Sequence, residues 1–379
     1  MGTNRGISKA KSVVCIYCHS KKVVKNGQRK AKFQTIQKYL CKECNRHFLD
    51  TEKRVPNKTY PTQTILRAIS FYNLGYSQQK VSNIISKRYK IKVPQRTISQ
   101  WLSEYRNICT FYKIRKEATN FYSPDEIIED HVLMHNNLPY KFQIHKAKLQ
   151  ILCQSKVYNN KFTDNSKFYQ PLKSYFERIP TKDFPNHIFS QHHDRGPNQT
   201  QENKSDKTSK AGEIGRLSRS SQLKFKTLDF VKQEKYNQAN KLAYLALNLA
   251  RNNRERHQSI QDFMLINDST TIATEIPVYL TKDDIAYFKD KGFIFNFESY
   301  QTPITGHIDF LQVRNGIIHI LDYKPGANKV NAVNQLTIYA LALASRTKLA
   351  VKDFKCAWFD ENNCYEFFPL HVVYKLREK

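Results

Sequence analysis

The chain has 379 residues, with 62 Lys and Arg against 33 Asp and Glu, a net charge of +29. That length allows two or three domains, and the charge points to a polyanionic partner, most simply nucleic acid. No run of about 18 consecutive apolar residues occurs, so no membrane-spanning helix and no membrane partner are expected.

The N-terminal stretch Met1–Lys11 is basic and has no apolar core of the signal-peptide kind. The eight cysteines do not form a disulfide framework, because four are in metal-ligand spacing and Cys109, Cys153, Cys356 and Cys364 are scattered. A reducing, cytoplasmic setting is the expectation.

Residues 12–55 form a compact basic block. Up to Tyr60 there are 15 Lys or Arg against three acids, Glu43, Asp50 and Glu52. Within it Cys15-x2-Cys18 and Cys41-x2-Cys44 are separated by 22 residues. Two such pairs can present four thiolates tetrahedrally, the arrangement of a closed structural zinc site. Four sulfurs complete that shell, which leaves His19 and His47 outside it.

Residues 60–110 carry helical periodicity. A first helix fits Thr62–Leu74, ended by Gly75 in a left-handed cap. Ser77 caps a second, Gln78–Arg88. A third opens at Pro94 and reads Gln95 to Tyr105. Ile98, Trp101 and Leu102 would face inward, while Gln95, Arg96, Ser99 and Gln100 would point outward. That is where a recognition helix meets base edges, and these four are the candidate DNA-binding residues.

Residues 111–193 read as a mixed α/β region without an assigned role. Asp130-His131-x3-His135 would make a metal pair on a helix. Tyr140–Lys148 alternates basic and apolar residues, as a DNA-facing strand or a lysine-protected edge strand would. Residues 194–222 have almost no large apolar side chains and are expected to be a flexible linker. Residues 223–379 read as one α/β unit: a helix with Leu242, Leu245 and Leu249, a strand near Glu275, a hairpin, and a helix from about Asn331 to Ser345.

The hairpin carries the chemistry. Two β-rich runs flank Asn315-Gly316, a dipeptide suited to a type I′ turn because both central residues need positive φ. A two-residue loop pairs Arg314 with Ile317, so Asp309 faces Asp322 and His307 faces Lys324. Opposed strand residues have Cβ atoms about 4.5–5.5 Å apart, where like charges destabilise. Two carboxylates there call for a divalent cation. Both strand faces are apolar near the middle, which predicts a hairpin in the centre of a covered sheet. Glu275 is a third acid on a nearby strand, and Lys324 shares a face with Asp322.

Two resemblances follow from these residues. Cys15-Ile-Tyr-Cys-His-Ser, Val24-Lys-Asn-Gly and Gln37–Phe48 resemble the zinc ribbon of small insertion-element transposition proteins. There a DNA-binding helix-turn-helix follows the ribbon, and residues 60–110 look like a transposase-type or resolvase-type example. Asp309 followed by Asp322-Tyr-Lys324, with Gly306-His-Ile-Asp before and Gln335-x3-Tyr339 after, resembles the PD-(D/E)XK nuclease motif in its RecB-like branch, over roughly residues 257–345. This resemblance implies that Glu275, Asp309 and Asp322 hold Mg²⁺ or Mn²⁺, that Lys324 is catalytic, and that Gln335 and Tyr339 support the site. The branch often has a histidine ligand on the preceding helix, and His257 is the residue placed for it. Its four-cysteine iron–sulfur cluster finds no match; Cys356 and Cys364 read as core residues.

The expected fold is therefore multidomain α+β: a zinc ribbon (12–55) and helix-turn-helix (60–110), then a restriction-endonuclease-like mixed sheet flanked by helices (223–379). The expected function is a metal-dependent DNA endonuclease, with structural zinc, acting on duplex DNA and suited to a homodimer if it breaks both strands. The rivals are a DNA-binding regulator with a structural nuclease fold, a transposase, and an RNA-directed nuclease.

Overall fold

The computed structural model describes residues 13–30, 35–49, 59–135, 138–154, 166–179, 223–294 and 304–375. The segment 194–222, expected as a linker, lies outside the described residues. The chain forms two units, one of residues 1–68 with 78–99 and the other of 69–77 with 100–379.

In the first unit β1 (Val23–Lys30), β2 (Thr35–Cys41) and β3 (His47–Leu49) form an antiparallel sheet in that order. Tyr39 and Phe48 stack across β2 and β3 with ring centroids 5.6 Å apart, and they pack with Cys15 and Cys41 in a small core. Three helices follow in the chain: α1 (Thr62–Asn73), α2 (Gln78–Tyr89) and α3 (Gln95–Glu104). Ile65, Leu66, Val81, Ile85, Val93 and Ile98 are buried in this unit. These helices end within a residue of their expected limits, because Pro94, Gly75 and the polar residues between them interrupt helix locally.

The second unit continues with α4 (Tyr112–Phe121), β4 (Ile128–His135), β5 (Leu138–His145), α5 (Lys146–Gln154), α6 (Ser166–Arg178) and β6 (Gln233–Glu234). Then come α7 (Gln238–Ala246), α8 (Arg256–Asn267), β7 (Thr271–Leu280), α9 (Lys282–Asp290), β8 (Ile304–Arg314) and β9 (Ile317–Tyr323). The unit closes with α10 (Val333–Thr347), β10 (Phe354–Phe359), β11 (Cys364–Phe367) and α11 (Pro369–Val373).

Its eight strands make one mixed sheet in the order β4-β5-β7-β8-β9-β10-β11-β6. Among the described residues only β9 and β10 pair in parallel; α10 makes the crossover between them, the connection a parallel pair requires. Strands β8 and β9 are central, as both their apolar faces require. On one face Leu311, Ile318 and Ile320 join α10 residues such as Leu336 and Ile338 in the main core. On the other face Phe310 and Tyr323 both pack at an angle against Phe359, and Tyr323 meets the start of α8.

The sheet departs from the sequence reading in four places. Strands β4 and β5, assigned to a separate region 111–193, extend the sheet of the C-terminal residues through pairing of Gln143 with Thr274. Such long-range pairing leaves no local trace. His131 and His135 lie on strand β4, not on a helix, so their spacing of four places them apart along an extended chain rather than one turn apart. β5 lies between β4 and β7 and is not an edge. Finally, α7 stops at Ala246, short of Leu249; the Asn248 side chain donates to the carbonyls of Tyr244 and Leu245, 3.1 Å each, and terminates it.

Candidate active site

The turn at Asn315-Gly316 has φ of 51° and 76°, and Arg314 pairs with Ile317. The register runs without slip to Phe310 and Leu321, which brings Asp309 and Asp322 side by side one position further along. Both are buried, with 8% and 2% of their surface exposed. Asp309 Oδ2 accepts a 2.9 Å hydrogen bond from the Tyr323 amide, which holds the carboxylate in place across the two strands.

Glu275 arrives from β7. Its backbone has a φ of +54°, a left-handed conformation that a residue with a Cβ adopts at a cost. Ile276, Val278 and Leu280 reach the main core at a period of two, whereas Ala273 is out of phase with them. The pairing with β8 stays in register across Glu275, Thr274 with Phe310 and Ile276 with Ile308, and the irregularity of this ladder lies earlier, between Thr271 and Ala273; the Glu275 carboxylate turns toward α8. There Gln261 Nε2 donates to Glu275 Oε1 at 2.6 Å.

His257, one turn before Gln261 on α8, completes the group. Its Nε2 is 3.1 Å from Asp309 Oδ2 and 3.7 Å from Glu275 Oε1. Ligand atoms of His257, Glu275 and Asp309 all lie within 4.8 Å of one another. His257 Nε2 is buried yet makes no well-directed hydrogen bond, and the same holds for Asp322 Oδ2. Lys324 Nζ lies 2.9 Å from that oxygen, an ion-pair distance with poor hydrogen-bond direction. Buried polar atoms left in this state are costly; a hard divalent cation accepted by oxygens and one imidazole would satisfy them. The donor set thus fits such an ion.

The electrostatics are those of crowded like charges. Burial and then Asp309 raise the Glu275 pKa to about 7. Burial and Asp309 also push Asp322 well above the usual carboxylate range. Burial alone would raise Asp309 too, but His257 and Lys324 outweigh it and hold Asp309 at about 2. Burial opposes the His257 charge, yet Asp309 and Glu275 raise it to about 9. Crowding thus drives the two neighbouring aspartates in opposite directions, Asp309 down and Asp322 up.

Two supports were not read from the sequence. Gln261 follows His257 at i+4, a spacing that places both on one face of a helix, and this was the available signal. Arg256 Nη2 contacts Tyr323 Oη and Glu361 Oε1, 3.2 Å each; these residues are far apart in sequence and had none. Beyond Lys324, Asp360 Oδ2 accepts from the Ala327 amide at 2.9 Å, and Trp358 Nε1 donates to the Ala327 carbonyl at 3.1 Å. Those bonds fix the turn that follows Lys324. Gln335 and Tyr339 sit one turn apart on α10, where Gln335 Nε2 donates to Tyr339 Oη at 2.8 Å.

In the first unit the four sulfurs of Cys15, Cys18, Cys41 and Cys44 converge within 4.8 Å. Cys15 and Cys44 are 3.6 Å apart, as are Cys18 and Cys41. Tetrahedral zinc with bonds of about 2.3 Å separates sulfurs by about 3.8 Å, so these four fit it. The Cys44 and Glu43 amides lower the Cys41 thiol to about 6, toward the thiolate a metal needs. Gln95, Arg96, Ser99 and Gln100 are all exposed on α3, with Ile98 and Trp101 buried.

Among the described residues no helix is long and apolar enough to cross a membrane. Residues 203–366 match the family model of the PD-(D/E)XK nuclease superfamily, which covers Glu275, Asp309, Asp322 and Lys324. No curated protein and no solved structure matches the chain.

Proposed function

We propose that the chain is a divalent-metal-dependent DNA endonuclease. The convergence of His257, Glu275 and Asp309 beside the Asp322–Lys324 pair carries this reading. Glu275, Asp309, Asp322 and His257 would hold Mg²⁺ or Mn²⁺. Bound there, the ion supplies Lewis-acid polarisation of a phosphodiester oxygen and a water made acidic enough to attack at neutral pH.

The chain's own residues do the rest. The Tyr323 amide and Gln261 hold Asp309 and Glu275 in position. Asp322 keeps Lys324 Nζ at the site, where its charge orients the attacking water and offsets negative charge developing on phosphorus. Gln335 and Tyr339 would support the site or the DNA. By the nuclease resemblance, water would displace the 3′-oxygen, leaving a 5′-phosphate and a 3′-hydroxyl.

On this reading the four cysteines bind structural zinc in a ribbon, and α1–α3 act as a helix-turn-helix. Lys and Arg of the basic block contact phosphates of duplex DNA, and Gln95, Arg96, Ser99 and Gln100 meet base edges. A homodimer would serve a double-strand break.

Supercoiled plasmid incubated with Mg²⁺ or Mn²⁺ tests the proposal. Nicked or linear product is expected from the parent protein and none from Asp322→Ala or Lys324→Ala. Plasmid left intact with both metals, while the protein still binds duplex DNA, would favour a regulator with a structural nuclease fold.

A further inference from the structure

The second unit holds a cavity of about 570 Å³ at the other end of the β8–β9 hairpin from the carboxylates. Arg314 lies five positions along the strand from Asp309, about 17 Å of extended chain. The volume falls in the range of small-molecule sites, about 300–1,000 Å³.

Its lining is mixed, and Ile114, Ile151, Leu152, Tyr169, Ile272 and Val313 make up its apolar part. The charged lining residues are three cations, Lys113, Lys148 and Arg314, and one acid, Asp268. The acid is already engaged. Asp268 Oδ2 accepts from Thr270 Oγ1 at 2.6 Å, Thr271 Oγ1 at 2.7 Å, and the Thr271 amide and Gln312 Nε2 at 3.0 Å each. Asp268 Oδ1 accepts from Thr110 Oγ1 at 3.2 Å.

The cations are less well served. Arg314 Nε reaches Thr270 Oγ1 at 3.3 Å, but its Nη2 is buried with no hydrogen-bond partner. Lys148 has 1% of its surface exposed and donates to the carbonyls of Leu265 and Thr271, and the charge of Asp268 offsets part of its own. Lys113 is exposed at the rim. A guanidinium with an unspent donor, in a cavity also lined by two lysines, can take an anion with several oxygens.

We propose that this cavity binds a phosphate-bearing ligand of nucleotide size. Its phosphate meets Arg314 and the two lysines, and its base or other flat apolar body lies along Tyr169, Ile151 and Leu152. The source is a free nucleotide or the 5′-phosphorylated end of an oligonucleotide, which share this chemistry. The assignment does not rest on the nuclease reading, since none of its residues belongs to the carboxylate site.

Titration calorimetry of the full chain without added divalent metal tests it, using AMP, adenosine and a 5′-phosphorylated dinucleotide. Saturable binding of AMP or the dinucleotide is expected, with adenosine at least tenfold weaker. Arg314→Ala should weaken binding tenfold or more. Lys113→Gln, at an exposed position that the fold does not need, should weaken it several-fold and guards against an Arg314→Ala protein that misfolds. Lys324→Ala should leave affinity unchanged. The proposal is overturned if neither phosphate binds, if adenosine binds as well as AMP, if Lys113→Gln has no effect, or if Lys324→Ala abolishes binding and so moves the ligand to the carboxylate cleft. Of the two phosphates, tighter binding of AMP identifies a free nucleotide, and tighter binding of the dinucleotide identifies a strand end.

Discussion

Gln261 and Glu275 are joined by a 2.6 Å hydrogen bond from the α8 amide to the β7 carboxylate, and Glu275 holds a left-handed backbone at that point. A strand residue in this conformation needs a reason, and aiming its carboxylate at His257 and Asp309 supplies one. Partners that orient metal ligands typically contribute about 10- to 100-fold in metal affinity or activity. Gln261→Ala is expected to lower Mn²⁺ affinity and cleavage by that factor while the fold persists. Titration of Mn²⁺ by calorimetry reads it, and an unchanged affinity sinks the role.

The same strain predicts a trade between stability and activity. Glu275→Gly removes both a disfavoured φ and a buried carboxylate crowded by Asp309. The variant should be more stable by about 1 kcal/mol and inactive in the plasmid assay. A denaturant midpoint below that of the parent would contradict this account of the strand.

At the hairpin, Gly316 has φ of +76° and open space around its Cα, so an added Cβ would clash with nothing within 4 Å. The cost of Gly316→Ala is then conformational alone, about 1 kcal/mol. Urea unfolding should show a loss of that size. Because the turn sets the register of Asp309 against Asp322, cleavage should fall further than the stability loss explains.

The cysteine cluster predicts one zinc per chain by elemental analysis, lost in Cys41→Ser. Ligand removal couples to folding of the small sheet β1–β3, whose core of Cys15, Tyr39, Cys41 and Phe48 is too small to stand alone. Duplex affinity should drop in this variant, and retention of zinc at one equivalent would refute the four-sulfur site.

Lys148 gives a pH prediction. Burial lowers its pKa from an ordinary 10.5 to about 7. Below pH 7 both folded and unfolded chains carry the proton, and the burial penalty is fully present. From about pH 7 to 10.5 the unfolded chain binds more protons, so stability rises with pH, by up to about 1.4 kcal/mol per unit at the steepest. Lys148→Met removes this dependence. The parent-minus-variant difference in unfolding free energy, measured at pH 7, 8 and 9, should therefore increase; a flat or falling difference would falsify the assignment.

What the sequence determined by itself was local. Turn chemistry at Asn315-Gly316 and strand alternation placed Asp309 against Asp322, because a two-residue loop with positive φ allows one register. The paired cysteines, the limits of α1 to α3 and the exposure of Arg96 followed equally from short-range rules. The start of α10 was missed by two residues, since Asn331 accepts from the Val333 amide and precedes the helix.

Tertiary structure decided the rest. The left-handed backbone of Glu275 and the bond to its carboxylate from Gln261 on another element are marked by no propensity. Strands β4 and β5 find β7 across more than a hundred residues, so a region that read as separate belongs to the same sheet. The state of each carboxylate depends on what else is buried beside it: Asp309 and Asp322 are the same residue type on adjacent strands, yet one is driven down and the other up. Sequence specifies which groups can ionise, while the distances and the excluded water that set their charges exist only once the sheet is assembled.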